Sequence, residues 1–463
     1  MSIFARSIFG CGAMWTWGYL AFHTPAVLGA QGTNAQLNMC YLVSLLAVAL
    51  TTTALLTAYQ HLLKLLESRF FVVASCALLS ISTLCMPIAL PFPIGRVLIG
   101  ILSGASSSIL PLCWGLFLVR SGVGFAKSLL PWACVITASL VLAGHLIPPQ
   151  AILAATIILP LASGLLLPSP CQISSQALRI RSVSPLKVGL SLKWFLLSIL
   201  AYGVALGCFR GMLFEGISVN PKVGSMVFFA GMGTGALALA LADKVLSSSL
   251  SMTTVYKSIL PITTAAMLFL MLSHAAGTTI AAFLLGCGFV CFDLSAWILT
   301  TSVTVRTRIS PVVSFGLLLT CSHTGMLLGA LLGTWAQSHP FNSSIAPLVT
   351  VVFLVAASTA TLGKLNVLGL ENGPTQAASP SQPSSAASAS PLDALSERFG
   401  LTPRESEILA LLLAGRTRNR IEQELVLSKS TVKTHVRHIY EKIGVHSQQE
   451  LLDLADESRR EKR

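Results

Sequence analysis

Four hydrogen-bonding side chains recur at helical spacing near the C-terminus: Ser430, Lys433, Thr434 and Arg437. Apolar side chains alternate with them at intervals of four, three and four: Val432, Val436, Ile439 and Ile443. The two sets fall on opposite faces of one predicted helix over 429–443, with the first set, here called the donor stripe, facing solvent. Cations and hydroxyls of this kind can donate to phosphate oxygens and base edges in a DNA groove. Taken alone, charges at this spacing are more often a plain solvated surface.

Three further helices are predicted around the donor stripe. Residues 402–405 combine a capping threonine, a proline suited to the first helical position and a glutamate, so a helix begins there and ends at Gly415. A short second helix is predicted over 418–425, before a tight turn in which Ser428 caps the helix of the donor stripe. Residues 447–450 form a second capping box, which starts the last helix.

The segment that contains these helices resembles the LuxR-type helix-turn-helix family. The matching motifs occur in the family's order: Leu401-Thr402-Pro403-Arg404-Glu405, Gly415, Leu427-Ser428, Ser430-Thr431-Val432-Lys433-Thr434-His435 and Ile439-Tyr440-x-Lys442-Ile443-Gly444-Val445. The resemblance implies that the third helix enters the major groove of double-stranded DNA, where Lys433, Thr434 and Arg437 contact bases and phosphates. It also implies supporting or backbone-contacting roles for Thr431 and His435. It covers about a seventh of the chain.

One departure from the family pattern precedes the turn. The family commonly has Asn-Lys-Glu-Ile-Ala there, whereas this chain has Arg418-Asn419-Arg420-Ile421-Glu422. Glu422 replaces a small residue, so the packing of the second helix is expected to differ. Arg418 and Arg420 are expected to add phosphate contacts. In the family the last helix often forms a dimer contact, so a homodimer on a two-fold operator is expected.

The rest of the chain is apolar. Of its 463 residues, 54% are hydrophobic and 10% are charged, whereas soluble proteins carry about 25% charged residues. Residues 391–463 have a net charge of only +1 out of +13, so the basic excess belongs to the apolar part and is no evidence for DNA binding. Twelve stretches could each cross a bilayer as a helix; they lie near 8–28, 37–58, 70–90, 94–119, 128–147, 149–167, 194–214, 223–242, 257–275, 277–300, 311–335 and 345–365.

The connecting loops predict the orientation of these spans. Lysine and arginine fall in every second loop, as in 64–69, 120–127, 179–193 and 306–308, and the alternate loops carry almost no charge. Because cytoplasmic loops are the ones enriched in lysine and arginine, both termini are expected in the cytoplasm of a bacterial cell membrane. This orientation would let the C-terminal segment meet DNA.

Six spans, a basic connector over about 168–193 and six more spans resemble the major facilitator superfamily of transporters. The sequence Arg96-x-x-x-Gly100 at the start of the fourth span looks like a motif of that superfamily. The motif expected between the second and third spans is not recognisable in 61–69, which weighs against active transport. The resemblance implies a central cavity lined by spans one, four, seven and ten.

Ionisable residues inside spans are candidates for function. Asp293, Arg96 and Arg210 would converge in the central cavity and are the candidate ligand or coupling residues. The alternative for Asp293, weighed equally, is a buried ion pair or hydrogen bond that only fixes the fold. His23 and His323 also fall within spans, and for them the structural interpretation is favoured.

The sequence thus predicts an all-α chain in three parts: a transporter-like membrane domain over 1–370, a low-complexity linker over 371–391 and a helix-turn-helix domain over 392–463. The favoured function is a membrane-bound one-component transcriptional regulator controlled by a small molecule. A transporter with a regulatory tail and an inert membrane anchor are the alternatives. No catalytic residue, cofactor or metal site is predicted, because phosphate loops, zinc-ligand patterns and nucleophile elbows are absent from the sequence.

Overall fold

The computed structural model describes residues 2–24, 27–28, 33–168, 190–215, 221–245, 252–271, 275–338, 345–365, 399, 403–413, 429–445 and 447–451. The chain divides into two compact units, Met1–Thr375 and Gln376–Arg463. Each unit is described by itself.

The first half of the membrane unit contains eight helices: α1 (Ile3–His23), α2 (Asn34–Thr57), α3 (Tyr59–Glu67), α4 (Arg69–Ala89), α5 (Pro93–Ser107), α6 (Ile109–Ser121), α7 (Val123–Gly144) and α8 (Pro149–Leu166). The second half contains six: α9 (Leu190–Glu215), α10 (Pro221–Val245), α11 (Met252–Met271), α12 (Ala275–Thr307), α13 (Pro311–Ser338) and α14 (Ile345–Leu365). The predicted all-helical membrane bundle is confirmed.

Length and composition explain why these segments are helical. Within the described residues, nine helical segments are long and apolar enough to cross a membrane, and 259–271 and 345–359 are shorter apolar helices. A helix satisfies its own backbone in hydrocarbon, where no water is available to do so. Local signals set the starts: Thr33 and Gln36 form a capping box before α2, and a proline occupies the first turn of α8. The count of twelve spans stays a prediction.

Two features of the bundle differ from the sequence-based expectation. The predicted span over 94–119 is divided at Ser108 into α5 and α6. The hydroxyls of the residues before the break bond to carbonyl groups one turn back, and Pro111 has no N–H to continue the helical ladder. The amphipathic helix α3 forms in a segment read as a loop, and its Leu62 and Leu66 pack into the main core.

Helices α9 and α13 meet along a glycine seam, defined by Gly203, Gly207 and Gly211 on α9 and Gly325, Gly329 and Gly333 on α13. A Cβ atom on Gly207 would overlap the carbonyl oxygen of Met326, and one on Gly329 would overlap that of Val204. The two backbones are therefore in direct contact, as small residues permit between membrane helices.

The two halves of the membrane unit pack through α2 against α13 and through α7 against α10. In the first pair, the hydroxyls of Thr52 and Thr320 lie 2.7 Å apart, and Leu56 packs on Gly316. These contacts leave the space between the halves enclosed by helices from both.

The C-terminal unit contains α15 (Pro403–Leu413), α16 (Lys429–Ile443) and a helical start over 447–451. One apolar cluster joins them: Ile408, Leu409, Leu412, Val432, Val436, Ile439, Ile443, Val445 and Leu451. Gly444 ends α16 with φ +80°, a conformation that glycine adopts without strain. The predicted second helix over 418–425 lies outside the described residues.

Candidate functional site

The donor stripe occupies the exposed face of α16. Ser430, Lys433, Thr434 and Arg437 are all exposed, and the buried face of the helix carries the four predicted apolar residues. With Tyr440, Glu441 and the chain after Gly444, the stripe borders a surface concavity of about 660 Å³. The predicted division of this helix into an inward and an outward face is confirmed.

Two contacts modify the stripe. The Arg437 guanidinium lies 3.6 Å from the Glu441 carboxylate one turn along the helix, and both side chains are largely exposed. The Thr434 hydroxyl donates to the carbonyl of Ser430 at 3.0 Å, which leaves its lone pairs as acceptors. Lys433 is exposed without an ion pair among the described residues.

The remaining predicted contact residues fall into two groups. Thr431 and His435 are half-buried at the flank of the stripe, as supporting positions would be. Arg418 and Arg420 lie outside the described residues, so their phosphate contacts stay a prediction.

An ion pair between a buried glutamate and an exposed lysine joins α15 to α16. The Lys442 ammonium lies 2.7 Å from the Glu405 carboxylate, whose side chain is only 6% exposed. The Gln448 amide donates to the Leu412 carbonyl at 2.9 Å, which ties the end of α15 to the last helix. Glu405 was predicted as part of a capping box, and Lys442 had no predicted role, because their pairing depends on a tertiary contact.

A cavity of about 200 Å³ lies between the two halves of the membrane unit. Residues from α1, α2, α9, α12 and α13 form most of its lining, and many are aromatic: Trp15, Trp17, Tyr19, Phe22, Tyr41, Tyr202, Phe289, Phe292 and Trp297. Asp293 and both predicted histidines, His23 and His323, also line it. The cavity is thus aromatic with a few polar groups, as small-molecule sites generally are.

Arg210 lies at the edge of this cavity and outside its lining. Its guanidinium nitrogens donate to Asn38 Oδ1 at 2.7 Å, to the Phe22 carbonyl at 2.7 Å and to His23 Nε2 at 3.3 Å. Its central carbon lies 3.5 Å from the centre of the Tyr41 ring, a cation–π contact. This Arg210 cluster joins α9 of the second half to α1 and α2 of the first.

Arg96 is not at the cavity. It lies in the first turn of α5, where its guanidinium reaches the Met39 sulfur at 3.7 Å and the Phe92 carbonyl at 3.5 Å. The expected convergence of Asp293, Arg96 and Arg210 is therefore corrected: one of the three lines the cavity, one supports its edge and one lies elsewhere. The number of a span says which helix a residue is on. It gives neither the depth of the residue in the membrane nor the face of the helix that it occupies.

The sequence of the C-terminal segment is similar to known regulators. The family described as "Bacterial regulatory proteins, luxR family" matches residues 400–455. The HTH-type transcriptional regulator MalT of Serratia proteamaculans (strain 568) is 39% identical over 57 residues, and MalT of Yersinia pestis (strain Pestoides F) is 40% identical over 55. Each match covers 12% of this chain and 6% of the relative, so the likeness concerns the helix-turn-helix module alone.

The fold of the larger part is similar to that of transporters. A bacterial homologue of the iron transporter ferroportin, in an outward-facing state with soaked iron, aligns with TM-score 0.55 and 14% identity over 78% of this chain and 98% of that chain. The major facilitator superfamily transporter FucP, in the outward conformation, aligns with TM-score 0.51 and 13% identity over 78% and 98%. These likenesses show the fold, and the predicted superfamily resemblance is confirmed at that level.

Proposed function

We propose that this chain is a membrane-bound one-component transcriptional regulator. Its C-terminal module would bind specific double-stranded DNA as a homodimer, and its membrane unit would sense a small molecule. The observation that carries the proposal is the donor stripe, exposed on α16 of a segment that matches the luxR family.

The proposed DNA contacts follow the face of α16. Lys433 and Arg437 would contact base edges or phosphates, since both can donate and both are exposed. Ser430 and Thr434 would contact the backbone or a base edge, with Thr431 and His435 beside them and Arg418 and Arg420 on phosphates. For these contacts the module must lie in the cytoplasm, so both termini are proposed to be inside a bacterial cell membrane.

The membrane unit is the proposed sensor of the small molecule. Its cavity lies between two halves that touch through the Arg210 cluster and through the Thr52–Thr320 pair. A ligand that binds two arrangements of the halves unequally would shift their populations and change the state of the module. The proposed domains are those of the sequence prediction: 1–370, a linker over 371–391 and 392–463.

Genome-wide mapping of DNA bound by the intact protein tests the proposed DNA binding. Specific sites should be lost in Lys433→Ala and in Arg437→Ala, and retained in Lys64→Ala, which removes one positive charge from the membrane unit. Sites that persist in both stripe variants would contradict the proposal.

A transporter with a regulatory tail is the second candidate, because the membrane unit has a transporter fold and an internal cavity. Gradient-driven uptake of a labelled compound into vesicles would favour it. An inert anchor is the third candidate, and it requires that a foreign membrane anchor restore full, ligand-responsive regulation.

A further inference from the structure

The central cavity has a single acidic side chain in its lining. Asp293 lies in the middle of α12, and Trp297, one turn along the same helix, also lines the cavity. Among the described residues it forms no ion pair, and the lining of the cavity includes no lysine or arginine. Asp293 is half-buried and faces the cavity. A carboxylate within a membrane bundle is costly without a cation, so a positive group that entered the cavity would be favoured.

The Arg210 guanidinium, which lies beside the cavity, contacts groups other than Asp293. Each nitrogen of the Arg210 guanidinium already donates to His23, Asn38 or Phe22, and the group lies outside the lining. Asp293 is not among these three acceptors.

A second hydrogen-bond acceptor comes from α13. His323 Nδ1 lies 2.8 Å from the Leu319 carbonyl, which can only accept, so Nδ1 carries a proton. In the neutral ring this leaves Nε2 as an acceptor. Asp293 and His323 together therefore offer the cavity two acceptors, which suit a ligand rich in N–H donors.

The aromatic walls favour the same charge. Trp15 and Trp297 pack edge to face with ring centres 5.6 Å apart, and Tyr202 stacks on Phe292 at 3.8 Å. The faces of aromatic rings attract cations, most strongly where water is excluded. Both the carboxylate and the walls thus select a positive ligand.

The cavity has room for a small aromatic ligand. The cavity holds about 200 Å³, and an apolar cavity of about 150 Å³ is enough to bind benzene. One aromatic ring with a short chain therefore fits in the cavity.

We infer that the cavity binds a small organic monocation, a protonated amine on a single-ring aromatic body, with the ammonium on Asp293 and the ring among the tryptophans. This inference rests on the proposed function, since it names the ligand class of the sensor. The ammonium donates to the carboxylate and to His323, and the ring displaces water from the aromatic walls.

Three probes of matched shape test the charge: 2-phenylethylammonium, neutral 2-phenylethanol and anionic 3-phenylpropanoate. Binding to the full chain in nanodiscs is measured by tryptophan fluorescence and isothermal titration. We expect the cation to bind at least tenfold more tightly than the alcohol and the anion to bind least. In Asp293→Asn the preference for the cation should vanish, while Asp293→Glu, which keeps the charge, should retain it.

Folding of the variants is controlled by thermal unfolding, and Arg96→Gln serves as a variant of an ionisable residue away from the cavity. Equal or tighter binding of the anion, or an unchanged cation preference in a folded Asp293→Asn protein, overturns the inference. If the full chain binds none of the three probes, the inference is equally overturned.

Promoter occupancy, measured with the same probes, separates the inference from the proposed function. If 2-phenylethylammonium binds through Asp293 but leaves DNA occupancy unchanged, the ligand class stands and the sensor proposal fails. If occupancy responds to the neutral or the anionic probe instead, the sensor stands and the cationic ligand class fails.

Discussion

The guanidinium of Arg210 donates to the side-chain oxygen of Asn38 at 2.7 Å and thereby joins α9 to α2 across the two halves of the membrane unit. The same guanidinium reaches α1 through the Phe22 carbonyl and His23. The Arg210 cluster therefore holds three helices together beside the cavity.

Removing Asn38 should weaken this junction. Asn38→Ala leaves one buried arginine donor without its acceptor, at a cost of about 1–3 kcal/mol. We expect a lower midpoint of thermal unfolding for the full chain in detergent, whereas Asn38→Asp, which keeps an acceptor, should lose much less. Equal losses in the two variants would show that the acceptor is not what matters at this position.

The Arg437–Glu441 pair should compete with DNA. Glu441 holds the guanidinium within the helix and adds a negative charge beside the proposed phosphate contacts. Glu441→Gln is expected to tighten DNA binding several-fold and to steepen its salt dependence, as measured by fluorescence anisotropy against salt concentration. Exposed pairs of this kind contribute little to stability, so unfolding should hardly change. Weaker binding by this variant would argue that Glu441 itself contacts DNA.

Lys433 should act through its charge. If it contacts a phosphate, Lys433→Ala lowers the slope of log affinity against log salt by about 1 and weakens all sequences alike. If it contacts a guanine edge, the loss is concentrated on one base pair, at about 1–3 kcal/mol of discrimination. Anisotropy on single-substitution operators distinguishes the two, and an unchanged affinity in both assays would remove Lys433 from the interface.

Breaking the Lys442–Glu405 pair should loosen the C-terminal unit. Lys442→Met leaves a nearly buried carboxylate without its cation, and a charged hydrogen bond of this type contributes about 1.5–3 kcal/mol. Limited proteolysis of the full chain should cut the C-terminal unit faster. The double variant Lys442→Met, Glu405→Gln should recover part of the loss, because no charge remains buried; no recovery would indicate that the pair is not coupled.

The glycine seam should not tolerate a methyl group. Gly329→Ala places a Cβ against the Val204 backbone and forces α9 and α13 apart, so the unfolding midpoint should fall clearly. Gly124→Ala is the matched control, since its Cβ would meet nothing within 4 Å. Similar effects at the two positions would contradict the close approach of the helices.

The sequence predicted those elements that depend on local patterns. Apolar length found the long helices, and the alternation of Val432, Val436 and Ile439 with the donor stripe predicted which face of α16 is buried. Both signals lie within one segment, so no knowledge of its neighbours was needed.

The features that the sequence did not predict depend on two distant segments. Asn38 looks like an ordinary polar residue in the sequence. It meets Arg210, 172 positions along the chain, only because α2 and α9 pack together. Arg96 was expected at the cavity because its span was, but its place at the first turn of α5 puts it at the end of the helix. The partner of a residue and its depth in the bundle both depend on how the helices pack.

The glycine seam couples α9 to α13. Because their backbones touch, a shift of one helix changes the packing of the other. His323 and Met326 on α13 line the cavity, while Arg210 on α9 bonds to the Phe22 carbonyl on α1 of the other half. An occupant of the cavity that displaced α13 would therefore also disturb the packing of α9 and, through it, the Arg210 cluster.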